Sequence, residues 1–200
     1  MIEIIELDAS HAKQAAKLAA GVFPYVGLYV RLSFWAYQHR ESPVARRITR
    51  LAGVSSMLQY WAAVDENGAV CGVAGIYEYA KDRDEALWLA WFCVDPARRG
   101  QGIGSRLLAH SVEAARATGK KYFRLYTSTL PNEAAAQGLY EKSGFELTKE
   151  KNRLFYKMLY RELALQGRKS HKFPFAFPIY PCYNNYRKYS PGGSRPCIPG

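Results

Sequence analysis

The sequence predicts a single α/β layer structure, and three observations carry that reading. Its apolar runs alternate between the two-residue period of strands and the longer period of helices, in the order β-α-α-β-β-β-α-β-α-β-β. Its 200 residues suit one domain with an appendage. Its hydrophobic share of 48% is enough for a sizeable core.

Each element has its own justification. "IEIIEL" (2–7) reads as a short strand, and "HAKQAAKLAA" (11–20), behind Ser10, as a capped helix. Pro24 opens an aromatic stretch, "YVGLYVRLSFWAYQHR", with apolar residues on several helical faces. Ser42-Pro43 pairs an N-cap with an N1 proline and starts a short basic helix to about Leu51. "MLQYWAAV" (57–64), the turn "DENG" (65–68) and "AVCGVAGIYEY" (69–79) form a predicted hairpin. After the charged loop "KDRDE", "ALWLAWFCV" (86–94) has the continuous apolar character of a buried central strand. "IGSRLLAHSVEAARATG" carries a helical stripe that stops at Gly119. "YFRLYTSTL" (122–130) is a strand, "PNEAAAQGLYEKSG" (131–144) a helix, and "FELTKE" and "RLFYKMLYREL" are closing strands.

The domain is expected to span 1–165, with a tail from 166 to 200 rich in proline, glycine and tyrosine. Charge follows the same division. Residues 1–148 carry 17 basic and 15 acidic side chains, whereas residues 149–200 carry 11 and 2. A nearly neutral body with a basic end favours contact with anions, nucleic acid among them. No apolar run approaches the ~20 residues of a membrane span, and the N-terminus lacks a secretory pattern, so the cytoplasm is the expected location. Cys71 and Cys93 fall in apolar strand-like runs, as buried thiols do. Cys182 and Cys197 have neither metal-ligand spacing nor a histidine pair, so no metal is expected.

"VDPARRGQGIG" (94–104) is the most informative passage. It fails the dinucleotide fingerprint, because Ser105 follows the G-x-G-x-G spacing of Gly100, Gly102 and Gly104. It fails the nucleotide phosphate loop as well, since no lysine follows the glycines. A strand that ends before glycines and a helix start still points to an anion. The free amides of the first helical turn converge there and the dipole favours negative charge. Arg98 and Arg99 can add charge-assisted bonds.

With those residues in view, "VDPARRGQGIGSRLL" resembles the acetyl-CoA motif of the GNAT acyltransferase superfamily, with core pattern [RQ]-x-x-G-x-[GA] met by Arg99, Gly102 and Gly104. "LYEKSGF" (139–145) is a second feature similar to that family. The resemblance implies a mixed, mostly antiparallel sheet with helices on both faces and splayed central strands. It implies acetyl-CoA as co-substrate, with the pantetheine arm on Phe92, Cys93 and Val94, and the pyrophosphate on the amides of Arg99, Gly100, Gln101, Gly102, Ile103, Gly104 and Ser105. It also implies direct attack by a primary amine in a ternary complex, with a backbone donor near Val94 stabilising the oxyanion.

Tyr140 matches the family tyrosine that protonates the departing thiolate. A phenol of ordinary pKa ~10 is protonated at neutral pH and can do so. The family asparagine expected seven residues before this tyrosine falls on Glu133, and Asn132, one place earlier, is the nearest candidate for that cofactor contact. The central strand holds no carboxylate or histidine. Glu78 and Glu85 are therefore the candidate general bases.

Tyr25, Tyr29, Phe34, Trp35, Tyr37, Trp61 and Trp91 are candidates for an aromatic acceptor pocket. They favour a small amine or amino-acid-like acceptor, with a peptide amine comparable. The competing reading is an RNA- or partner-binding protein that uses the basic tail, or acts on aminoacyl-tRNA. A homodimer is compatible with either.

Overall fold

A computed structural model of the chain describes residues 1–166. The expectations for the basic tail, including Cys182, Cys197 and nucleic-acid contact, lie outside these residues.

The chain runs β1 (Glu3–Glu6), α1 (Ala9–Val22), α2 (Gly27–Gln38), α3 (Pro43–Leu51), β2 (Val54–Val64), β3 (Val70–Tyr79), β4 (Ala86–Val94), α4 (Ile103–Ala117), β5 (Tyr122–Ser128), α5 (Pro131–Lys142), β6 (Glu146–Asn152) and β7 (Lys157–Ala164). The strands form one seven-stranded sheet in the order β1-β2-β3-β4-β5-β7-β6. All neighbours are antiparallel except β4 and β5.

The expected order lacks one helix. The aromatic stretch after Pro24 folds as α2, separated from α1 by a short 3₁₀ turn at Pro24–Val26. Proline at that point cannot donate a helical hydrogen bond, so α1 ends and the chain turns. The cap of α1 also differs from the expected Ser10. Asp8 caps the helix by accepting from the His11 amide at 3.0 Å, and Ser10 donates its hydroxyl to the same carboxylate at 2.6 Å. These bonds hold the Asp8 carboxyl well below the usual range, Ser10 first and His11 next.

Two cores flank the sheet. One packs α1 and α2 on the sheet through Ala12, Ala15, Ala19, Val30, Phe34, Tyr60 and Val73. The other packs α4 and α5 on the opposite face through Leu107, Leu108, Val112, Leu87, Phe123 and Tyr140. In β2 the strand period sends Tyr60 and Ala62 to the first core and Trp61 and Ala63 to the second. Tyr60 lies flat on β3 at Gly75, where an added Cβ would stand 2.3 Å from the ring.

Candidate active site

The opening between β4 and β5 builds the site. The two strands pair only through Ala86–Trp88 and Tyr122–Arg124. Beyond that point β5 keeps pairing with β7 out to Ser128, while β4 stays with β3 as far as Val94. The sheet therefore parts, leaving the β5-facing edge of the second half of β4 outside any ladder.

A bulge shapes that half. Leu87 and Leu89 face the α4 side, and Trp88 and Ala90 face the α1–α2 side, as strand alternation requires. Trp91 then repeats the side of Ala90, after which Phe92, Cys93 and Val94 alternate again. The register between β3 and β4 shifts at this place, and Trp91 has φ of 44°. A bulky residue with positive φ carries strain, and bulges of this kind re-aim side chains beside functional sites. Trp91 is aimed at Phe23 and Tyr29, with ring centroids 5.7 Å away in each case.

The glycine-rich turn lies directly after β4. Gly100 and Gly102 have φ of +78° and +76°, and Gly102 is the N-cap of α4. That left-handed cap requires glycine. Among the described residues no acceptor faces the amides of Gly100 through Ser105, and the first helical bond runs from the Arg106 amide to the Gly102 carbonyl at 3.1 Å. Six successive donors at the N-terminus of a 15-residue helix suit a phosphate-rich ligand. Gly104 sits in ordinary contact distance of Phe92, Val94 and Leu139, so β4, α4 and α5 meet there.

The two arginines part company. Arg98 is bound to Asp65 at 2.8 Å, in the β2–β3 turn, where amides led by that of Ala69 lower the carboxyl pKa. Arg99 reaches back to the Val94 carbonyl at 3.4 Å and remains beside the amides.

Tyr140 lies under the same strand end. It is buried at 5% exposure, with its ring 5.8 Å from that of Phe92. Burial, followed by the carboxylate of Glu133, pushes the phenol well above its ordinary value. Its hydroxyl makes no hydrogen bond to the described residues, yet it is not among the fully enclosed unpartnered atoms, which are Gln137 Oε1 and Arg161 Nε. Of the strand residues, Phe92 and Val94 face α4 and α5, whereas Cys93 is enclosed on the other face with its thiol pushed up to about 12 by burial. Cys71 and Cys93 are both free and buried.

Asn132 donates its side-chain amide to the Val22 carbonyl at 3.0 Å and so ties the start of α5 to the end of α1. Glu133 has a role the sequence did not suggest. Its carboxylate accepts from the Thr127 hydroxyl at 2.7 Å, the Ser128 amide at 3.0 Å and the Ser128 hydroxyl at 2.6 Å. Gln137 adds bonds to the Thr127 hydroxyl and the Ser128 carbonyl, 3.0 and 3.1 Å long. Together they pin the open end of β5 to α5. The short gap from Ser128 to Glu133 was the available signal.

Glu78 and Glu85, the candidate bases, lie away from the end of β4 at Val94. Val94, at the site, pairs with Gly72, whereas Glu78 follows Tyr77, the partner of Trp88. Six strand residues at ~3.3 Å each place that end about 20 Å from Val94. Glu78 binds Lys120 at 2.9 Å and Glu85 binds Arg124 at 2.9 Å. Arg124 gathers Asp82 and Glu162 as well, so both glutamates belong to ion pairs that close the far end of the sheet.

The aromatic candidates also divide. Phe34 and Tyr37 are core, Trp61 lies on the α4 side against His110, and Tyr25 and Trp35 point to solvent. Tyr29 and Trp91 stay beside the opening. They join a group of phenols on the α1–α2 side: Tyr60 and Tyr77 as a buried floor, Tyr29 and Tyr126 as half-exposed rims. Burial, then Tyr126, raises the Tyr77 phenol; burial, then Tyr79, raises that of Tyr126. His110 is held toward its neutral form by burial. Among the described residues no group of His, Cys, Asp and Glu is arranged to hold a metal ion.

A mixed sheet opened between its central strands, with a glycine-capped helix beginning beside the opening, defines a GNAT-type acyltransferase fold. Residues 57–147 match the family model of the acetyltransferase (GNAT) domain. No curated protein matches the sequence. Among solved structures, a Desulfovibrio desulfuricans protein assigned to the GNAT family aligns with a TM-score of 0.62 at 18% identity, covering 82% of this chain and 99% of its own. An aminoglycoside 6'-N-acetyltransferase solved with coenzyme A aligns with 0.58 at 16%, covering 84% and 99%. The yncA protein of Salmonella typhimurium, solved with acetyl-CoA, aligns with 0.58 at 20%, covering 84% and 96%. At these identities the likeness is one of fold.

Proposed function

We propose that the protein transfers an acetyl group from acetyl-CoA to the primary amine of a small, partly apolar acceptor. The observation that carries this reading is the parted β4–β5 edge lying next to the run of free amides at α4. The site fits the group. The amides of Gly100 to Ser105, with Arg99 beside them, suit the pyrophosphate, and the unpaired edge of Phe92, Cys93 and Val94 suits an extended amide-bearing arm as an added strand. Solved neighbours of this fold hold coenzyme A or acetyl-CoA.

Acetyl-CoA supplies the acetyl group already activated as a thioester. The chain's part is to orient it, to offer a backbone donor at Val94 and to hold a proton at the Tyr140 hydroxyl for the departing sulfur. Burial keeps that phenol protonated across the neutral range. The acceptor amine enters from the phenol-lined side, where Tyr29, Tyr77 and Tyr126 offer hydrogen bonds and Trp91 an apolar wall. As the carbon–nitrogen bond forms and the carbon–sulfur bond breaks, the amine gives one proton to water and the phenol regains one from it.

The test is a coenzyme A release assay over amino acids, polyamines, peptides and aminoacyl-tRNA, paired with calorimetric titration of acetyl-CoA. Saturable acetyl-CoA binding with amine-dependent release supports the reading. Failure to bind acetyl-CoA at millimolar concentration removes it.

A further inference from the structure

Helices α2 and α3 repeat one surface pattern. In α2, Leu28, Leu32 and Trp35 are exposed at positions i, i+4 and i+7, with Arg31 at i+3. In α3, Val44, Ile48 and Leu51 are exposed at the same three spacings, with Arg47 at i+3. Such spacing puts each apolar triplet on one helix face and its arginine at the border of that face. Leu28 and Leu51 are 75% and 85% exposed. Only Ala45 of α3 is buried, so this helix contributes little to the core. The two helices pack on each other. A recess of about 410 Å³ beside α2 is lined by Ala20, Pro24, Gly27 and Leu28, with Arg31 at its edge.

We propose that the exposed α2–α3 face docks on an anionic phospholipid surface, its apolar triplets entering the headgroup–acyl boundary and its arginines meeting lipid phosphates and carboxylates. Charge decides the occupant. Residues 21–52 hold five arginines and one acidic residue, Glu41, which already binds Arg46 at 2.6 Å. A second copy on this face would meet it through a twofold interface, setting arginines against arginines with no free carboxylate between them. A nucleic acid would satisfy the arginines and leave two aliphatic stripes in water. A lipid surface satisfies both sets at once, and Trp35 suits its interfacial zone.

The experiment is co-sedimentation of the 200-residue chain with phosphatidylcholine vesicles, with and without phosphatidylserine, at low and high salt. The expected result is binding that requires phosphatidylserine and weakens with salt. Leu28→Gln with Leu32→Gln, and separately Arg47→Gln with Arg50→Gln, should each weaken partitioning by about tenfold or more. Both pairs should keep the parent's far-ultraviolet spectrum, since the altered side chains face solvent. Variants that bind like the parent would assign any lipid affinity to other basic segments and overturn the proposal. So would absence of vesicle binding, or a dimer in light scattering that the Leu28/Leu32 pair dissolves.

Discussion

At the scale of single residues, the opening separates side chains left without a partner from those that pin its walls in place. Tyr140 has a hydroxyl without a partner among the described residues, set in a ring environment of Phe92 and Phe145. Removing that oxygen costs no hydrogen bond to the described residues. Tyr140→Phe is therefore expected to keep the parent's melting temperature and acetyl-CoA affinity while kcat falls by about 10²–10⁴-fold, the usual weight of a general acid. An unchanged kcat in the presence of a good acceptor would move the proton source elsewhere. Gly102 is constrained differently. A Cβ there meets nothing within 4 Å, so its constraint is the φ of +76° alone. Gly102→Val has to turn the N-cap out of the left-handed region, at roughly 1–2 kcal/mol, and disperse the amides of the first turn. Calorimetry should record at least about a tenfold loss of acetyl-CoA affinity, set against a small loss of stability.

At the scale of elements, β4 governs the site, and it was only partly legible. Its sequence "ALWLAWFCV" is apolar throughout, so the strand and its burial could be read, but a one-residue bulge leaves no trace in a run without alternation. The structure places Trp91 on the same face as Ala90, and this brings it to Tyr29 rather than to α4. The glycine turn was legible because its signals are local: glycines where φ is positive and a helix start behind them. The place of Glu78 and Glu85 was not legible, because it depends on register across a hairpin. Antiparallel pairing of β3 with β4 carries residues near the end of β3 to the beginning of β4. Two substitutions test this arrangement. Glu78→Gln and Glu85→Gln should each leave kcat/KM within about twofold of the parent, with stability lowered by about 1 kcal/mol or less, as for partly exposed ion pairs. Gly75→Ala should do the opposite kind of damage. Its Cβ would stand 2.3 Å from Tyr60, whose ring also stacks on Tyr37 at 4.5 Å, so the phenol floor has to shift. A loss of about 1–3 kcal/mol is expected, with acceptor KM affected more than acetyl-CoA affinity.

At the scale of the whole molecule, the buried tyrosines on the two faces of the sheet also set the limit of the fold in alkali. Tyr60, Tyr77 and Tyr140 are 1%, 7% and 5% exposed, and burial is the largest cause of the raised value in each phenol. Cys93 is pushed up to about 12 for the same reason. A group that stays protonated in the native state but ionises in the unfolded chain makes the unfolded state release protons first. Stability is then fully present below the unfolded pKa and falls as pH rises through it. The thiol begins this near its ordinary value of about 8.5 and the phenols near about 10. Each contributes a slope of about 1.4 kcal/mol per pH unit once its unfolded form is ionised. Three phenols and one thiol acting together exhaust an ordinary stability of about 5–15 kcal/mol between roughly pH 10.5 and 12.5. The expected outcome is one cooperative alkaline transition in which phenolate absorbance and loss of ellipticity coincide. Tyr77→Phe removes one ionisable group without removing its ring, so the transition should move to higher pH and become less steep. Phenolate absorbance that rises fully before the ellipticity changes would mean that these rings reach solvent in the native fold, and the enclosed packing of the phenols would have to be abandoned.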